Sequence, residues 1–170
     1  MKIQRSIVTA TLFLGLFLTP SLAAGGPAGD AVDRFFDAYR SGSMENMLAN
    51  YSDDAVFEDV NQRHRFEGTQ QIAQLLGTLV AVHHEMDLKE KRRIVDGNTV
   101  VVEYDYVGTL NGAALGQSVG KTGCPDLDYV LPTTSWYEIK DGKIARQRDF
   151  IDLATYQELQ QQLLSAGSGE

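Results

Sequence analysis

The sequence predicts an α+β domain, a curved antiparallel sheet with N-terminal helices packed on one face and a short C-terminal helix. Three observations carry this reading. Apolar residues recur at helical spacing over roughly residues 30–80, the period falls to two from about His83, and turn residues cut the later half into long hairpins.

The first stretch reads separately from that domain. Lys2 and Arg5 precede an apolar run over residues 7–18, and Pro20 and Ser21-Leu22-Ala23-Ala24 follow. The run is about 12 residues, short of the roughly 20 that span a bilayer. It predicts a bacterial-type signal peptide over residues 1–24 and an exported protein, periplasmic or secreted. An uncleaved anchor is the alternative. No cysteine follows the run, which argues against a lipid-anchored form. The expected organisation is a linker at 25–29, a domain at 30–165 and a flexible tail at 166–170.

The full chain carries a net charge of −8, and the leading segment holds two cations and no acid. The remainder therefore stands at about −10 and repels nucleic acid and anionic membranes. With one cysteine, Cys124, no internal disulfide can form, so the fold rests on its apolar core. Cys124 beside Pro125 reads as an incidental thiol in a polar loop.

Asp30 is expected to cap a first helix, whose stripe is Val32, Phe35, Phe36 and Tyr39, running to Arg40. Ser41-Gly42 ends it. Ser43 caps a second helix through Tyr51, with Met44, Met47, Leu48 and Tyr51 inward. Residues 55–59 form a strand. A third helix covers 69–80, with Ile72, Leu75, Leu76 and Leu79 inward. Strands follow at 84–95, 99–109, 128–140 and 143–151. Asp96-Gly97-Asn98 and Asp141-Gly142 supply hairpin turns. A closing helix spans 153–164. The segment 111–126, with glycines at 112, 116, 120 and 123, reads as a long loop expected to act as a lid.

Two tempting motifs fail on spacing. Gly116-Gln117-Ser118-Val119-Gly120-Lys121-Thr122 has three residues between its glycines where a phosphate-binding loop has four, and no helix follows it. His83-His84-Glu85 opens a strand, so its neighbours point to opposite faces, and only His64 lies elsewhere. No metal and no cofactor are expected. Asn50-Tyr51-Ser52 fits a glycosylation sequon but is discounted beside a bacterial-type leader.

The segment VDRFFDAYRSGSMENMLANYSDDAVFED, residues 32–59, resembles the opening of the SnoaL-like branch of the nuclear transport factor 2-like superfamily. Its relatives include ketosteroid isomerases, polyketide cyclases and limonene epoxide hydrolases. Phe66-Glu67-Gly68 and the run DGKIARQRDFIDLATY, residues 141–156, fit the same pattern. The resemblance implies a cone-shaped curved antiparallel sheet with the N-terminal helices packed on its concave face and a deep apolar pocket for a small lipophilic molecule, often dimerising through the sheet. From the short apolar run and the negative charge, no membrane span is expected after processing and no nucleic-acid partner.

Carried over residue by residue, the resemblance places Asp59 where ketosteroid isomerases hold their proton-shuttling acid. The bland alternative is a solvated strand-end carboxylate. Phe35 and Ser135 stand at the two oxyanion-donor positions, so that reaction loses its main stabilisation. Asp149 matches the water-activating acid of the epoxide hydrolases, and alternation puts Ala145, Gln147, Asp149 and Ile151 on one face. Glu103 and Asp105 fall where those enzymes use an Arg-X-Asp pair. Two readings of that strand stay open. Glu103, Asp105 and Asp149 share a cavity and a proton, or Val100, Val102, Tyr104 and Tyr106 face inward and make the pocket apolar. The candidate catalytic set is Asp59, Asp149, Asp105 and Glu103. The candidate lining is Phe35, Tyr39, Phe57, Tyr104, Tyr106 and Trp136, the last as wall or core. Cofactor-independent acid/base catalysis, non-catalytic ligand binding and a dimeric interaction module all fit this set.

Overall fold

A computed structural model describes residues 25–118 and 120–166. The expected signal peptide and the last four residues of the tail lie outside the described residues. Five helices and a curved, unclosed sheet of six strands form one α+β unit. In chain order these are α1 (Gly26–Arg40), α2 (Met44–Ala49), β1 (Tyr51–Asp59), β2 (His64–Glu67), α3 (Gly68–Ala81), β3 (His83–Asp96), β4 (Thr99–Leu110), α4 (Gly112–Ser118), β5 (Leu127–Lys140), β6 (Lys143–Ile151) and α5 (Leu153–Ala166). The sheet order is β2-β1-β6-β5-β4-β3.

Several elements depart from the sequence reading. The sheet is mixed, because β1 runs parallel to β6 with Asp59 beside Asp149. The first helix begins inside the expected linker. Gly25 takes a left-handed φ of 65° at its N-cap, and Pro27 sits in the first turn, where a missing N–H costs nothing. Asp30 therefore lies within the helix and caps nothing. Small residues let this first turn lie close to the sheet, with Gly29 against Arg93 and Val95. Tyr51 belongs to β1 rather than to α2, which starts where expected with Ser43 Oγ accepting the Asn46 N–H at 3.2 Å. The short strand β2 has no signal of its own and forms by pairing with β1.

The expected loop at 111–126 holds α4. Asn111 Oδ1 accepts the Ala114 N–H at 3.0 Å at its start. Its glycines serve close packing: a Cβ on Gly112 would sit 2.0 Å from the Pro125 carbonyl oxygen, and one on Gly116 2.8 Å from Cys124 Sγ.

The core lies between α1 and the concave sheet face. Val32, Phe35, Phe36 and Tyr39 meet Val100, Val102, Tyr104, Tyr137 and Ile144, all buried. Phe36 and Tyr104 pack edge to face at 5.4 Å. Each such aromatic contributes about 1.5–3 kcal/mol by leaving water. Irregularities in the β3–β4 and β5–β6 pairing leave Lys91 and Ala145 unpaired, and bulges of this kind bend the strands that carry them.

Near the open end of the sheet the β3 chain comes unusually close to Gly108 of β4. A Cβ there would lie 2.1 Å from the Glu85 carbonyl oxygen. Gly108→Ala should therefore destabilise the fold by about 1–3 kcal/mol, read by urea denaturation. Unchanged stability would show that the strands separate freely at this point.

Candidate active site

The open end of the cone holds a cavity of about 760 Å³. One wall is α3 with its C-cap, through Leu75, Thr78, Leu79 and Val82. A second comes from α4 and the chain behind it, through Leu115, Gly116 and Cys124. A third is α5, through Tyr156, Leu159, Gln160 and Leu163. The sheet supplies Phe57, Asp59, Phe66, Tyr106, Tyr129, Leu131, Asp149 and Ile151, and α1 supplies Tyr39. The lining is mostly apolar, with polar groups gathered on the sheet side.

Asp149 is the centre of those polar groups. It lines the cavity yet is only 3% exposed. Ser135 Oγ donates to its Oδ1. Gln147 Nε2 donates to both oxygens, at 2.9 and 3.1 Å, and the Tyr106 hydroxyl donates to Oδ2 at 3.2 Å. The donors are themselves held: the Tyr51 hydroxyl donates to Gln147 Oε1 at 2.5 Å, and the Tyr104 hydroxyl shares a 2.7 Å hydrogen bond with Ser135 Oγ. Burial pushes the Asp149 carboxyl up to about 6. The Ser135, Gln147 and Tyr106 hydrogen bonds pull it back, and the neighbouring Asp59 adds a further upward push.

Asp59 sits beside Asp149 on β1, half-buried on the cavity wall. Its Oδ1 accepts the Gln62 N–H at 3.0 Å and its Oδ2 accepts Gln62 Nε2 at 2.8 Å. Tyr39 reaches the cavity from α1. Its hydroxyl neighbours Tyr129 closely enough to affect that group's ionisation, but makes no well-formed hydrogen bond. Burial raises the Tyr39 phenol well above its ordinary range and Tyr129 to about 12, so both stay neutral.

Of the residues expected to line the pocket, Tyr39, Phe57 and Tyr106 do so. Phe35 does not; it is core, with its ring 5.5 Å from Tyr51 and 6.1 Å from Tyr137. Tyr104 faces inward but lies beneath the cavity floor, fully buried. Trp136 is neither wall nor core. Strict alternation along β5 turns Tyr129, Leu131, Thr133, Ser135 and Tyr137 inward and leaves Trp136 on the outer face, 46% exposed.

Glu103 and Asp105 must also be corrected as members of the acid cluster. The apolar reading of their strand holds: Val100, Val102 and Tyr104 are buried, and Tyr106 lines the cavity. Glu103 is therefore exposed on the outer face, and Asp105 pairs there with Lys91 at 2.6 Å. The cavity instead contains His64, His83, Cys124 and Tyr129, which sequence reasoning did not assign to it. Tyr129 was within reach, since it shares the inward parity of Ser135. His83 Nδ1 donates to the Leu79 carbonyl at 2.6 Å, and burial lowers its pKa, so the ring is neutral. His84 points away, 3.3 Å from Asp126. Among the described residues, no three His, Cys, Asp or Glu side chains gather as metal ligands.

A cone of this kind with an acid on its inner wall defines a class of small-molecule pocket proteins. The SnoaL-like domain family matches residues 32–147, and the chain belongs to that family, within the nuclear transport factor 2-like superfamily. Among solved structures, one similar chain is assigned as a SnoaL-like polyketide cyclase of Shewanella denitrificans. It is 21% identical with a TM-score of 0.68, over 81% of this chain and 97% of that one. A protein of Xanthomonas campestris assigned as a polyketide cyclase is 25% identical, with a TM-score of 0.65 over 83% and 99%. An LEH-like epoxide hydrolase of M. tuberculosis is 24% identical, with a TM-score of 0.60 over 82% and 93%. Among curated proteins none matches significantly.

Asp149 generates a stability prediction. Its folded value of about 6 lies above the ordinary 3.8, so the folded chain keeps a proton that the unfolded chain releases. Stability from this group is full below about pH 4 and is lost as pH rises through about 6, by up to roughly 3 kcal/mol. Asp149→Asn should lack that loss. Denaturation curves across the window should show the variant gaining on the wild type as pH rises; parallel curves would show that Asp149 does not carry the proton.

Proposed function

We propose that this protein is exported, binds a small lipophilic molecule in the cavity and performs cofactor-independent acid/base chemistry on it, with Asp149 transferring the proton. The observation that carries this reading is a buried carboxylate, held near neutrality, on the wall of an apolar cavity. A base works best when its pKa lies near the working pH, and a value of about 6 leaves Asp149 mostly ionised at neutrality. It can take a proton from a bound water or from an acidified C–H, and return it later. Hydrolysis, isomerisation and cyclisation all use such a step. Tyr39 lies one helical turn beyond Phe35, and its neutral phenol borders the cavity beside Tyr129. Export rests on the basic and apolar start of the chain; an intact mass equal to that of the unprocessed sequence in the native host would refute it.

Non-catalytic binding is the second reading, and one observation favours it. The two Asp149 oxygens already accept four hydrogen bonds, which fills their lone pairs. A working base must shed one of them. Tyr106, at 3.2 Å the longest, is the donor able to swing away.

Both readings expect the neutral dye Nile red to bind one per chain with blue-shifted emission. The catalytic reading further expects turnover of a member of a panel of epoxides, enones and polyketide-like ketones. The rate should inflect near pH 6. Asp149→Asn should lower kcat by about 10²–10⁴-fold. Full turnover by that variant would remove Asp149 from the mechanism, and dye binding with no turnover would leave the binding role.

The outer sheet face supports a homodimer. Ile94, Val101 and Trp136 lie side by side across β3, β4 and β5, with Ile94 51% and Trp136 46% exposed. Trp136→Glu should convert a dimer into a monomer in sedimentation equilibrium. A monomeric wild type at high concentration would exclude this assembly.

A further inference from the structure

Given the ligand pocket proposed above, on which this rests, we infer that the cavity selects lipophilic molecules carrying a protonated amine over those carrying a carboxylate, and that Asp59 receives the ammonium group. The charge of the lining is one-sided. Its described residues include two carboxylates, Asp59 and Asp149, and no lysine or arginine. A ligand carboxylate would become a third acid in a low-dielectric space with no cation to meet it, whereas an ammonium relieves the repulsion between the two already there.

The two acids are not equivalent. Asp149 has its lone pairs filled, while each Asp59 oxygen accepts a single hydrogen bond from Gln62 and keeps a lone pair for a ligand N–H. Aromatic rings surround the same place. Phe57 lies two residues before Asp59 on the same face and packs against Phe66 at 6.0 Å; His64 pairs opposite Asp59, with its ring 6.4 Å from Phe66. Ring faces attract a partly desolvated cation by about 0.5–2 kcal/mol. Arg63, in the turn after Asp59, is exposed and is not among the lining residues, and the arginines of β2 and β6 point the other way. Arg146 and Arg148 lie on the outer face around Glu58, with Arg65 beside them, and do not neutralise the cavity.

Displacement of Nile red by decylamine, 1-decanol and decanoate tests this at about pH 8, where ordinary histidine side chains carry no charge and alkylamines remain protonated. Decylamine should displace the dye at a concentration at least tenfold below decanol, and decanoate should be weakest. Asp59→Asn should bring the amine-to-alcohol ratio close to one. Decanoate binding as tightly as decylamine, or an amine preference untouched in Asp59→Asn, would overturn the inference while leaving the pocket in place. Failure of Nile red and all three chains to bind would overturn both the inference and the pocket reading.

Discussion

Taking a carboxylate such as Asp149 out of water costs several kcal/mol unless its lone pairs meet donors. The donors here come from different strands: Gln147 from β6, the acid's own strand, Ser135 from β5 and Tyr106 from β4. Tyr51 of β1 and Tyr104 of β4 then hold Gln147 and Ser135. A one-residue slip of β5 would turn Ser135 outward and bring Thr134 or Trp136 to the inner face. The acid would lose its Ser135 donor, and Trp136 would enter a space already filled. The polar node thus penalises a one-residue slip of β5 beyond what its apolar neighbours alone would impose. The same node supplies the group on which the proposed chemistry rests.

The strands can meet at Asp149 because the sheet changes parity at defined points. Along β3, Met86 and Leu88 face the core, and after the unpaired Lys91 the inward residues become Arg93 and Val95. Arg93 then reaches α1, pairing with Asp33 at 2.7 Å and with Glu90 at 2.7 Å while its guanidinium lies 5.9 Å from the Phe36 ring centroid. Along β6, the unpaired Ala145 lets both Ile144 and Gln147 face inward. Each bulge thus serves twice, bending the sheet and re-aiming the side chains that follow.

Much of this fold was legible in the sequence because the β3–β6 meander alternates with period two and carries explicit turn residues. The same logic located Asp149 and Gln147 on one face. It could not choose a face for β4, since Glu103 and Asp105 alternate with Val102, Tyr104 and Tyr106 in a pattern that suits either side. Only the packing of α1 decides it, because Phe36 needs Tyr104 as its partner. Trp136 misled for a different reason: a large aromatic is usually buried, and its parity along β5 was the better guide. The parallel β1–β6 pair, the short β2 and the glycine-rich α4 have no local signature. They form where distant segments meet, as when Gly116 accommodates Cys124.

The charges of this protein are sorted by the sheet. On β6, Arg146 and Arg148 point outward while Gln147 and Asp149 point inward; on β1, Glu58 points outward and Asp59 inward. Glu58 meets Arg65, Arg146 and Arg148, and hydrogen bonds from Arg146 and Arg65 hold its carboxyl below the ordinary range. An exchange of these partners across the sheet would place an arginine beside Asp149 and pull that acid down as well, removing its ability to hold a proton near neutrality. Alternation therefore does more than separate apolar from polar. On β1 and β6 it keeps Arg146 and Arg148 on the face where water is available and leaves Asp59 and Asp149 together in the cavity. The proposed roles rest on that separation: it leaves one carboxyl raised to about 6 and, beside it, a second acid whose oxygens each accept one hydrogen bond from Gln62.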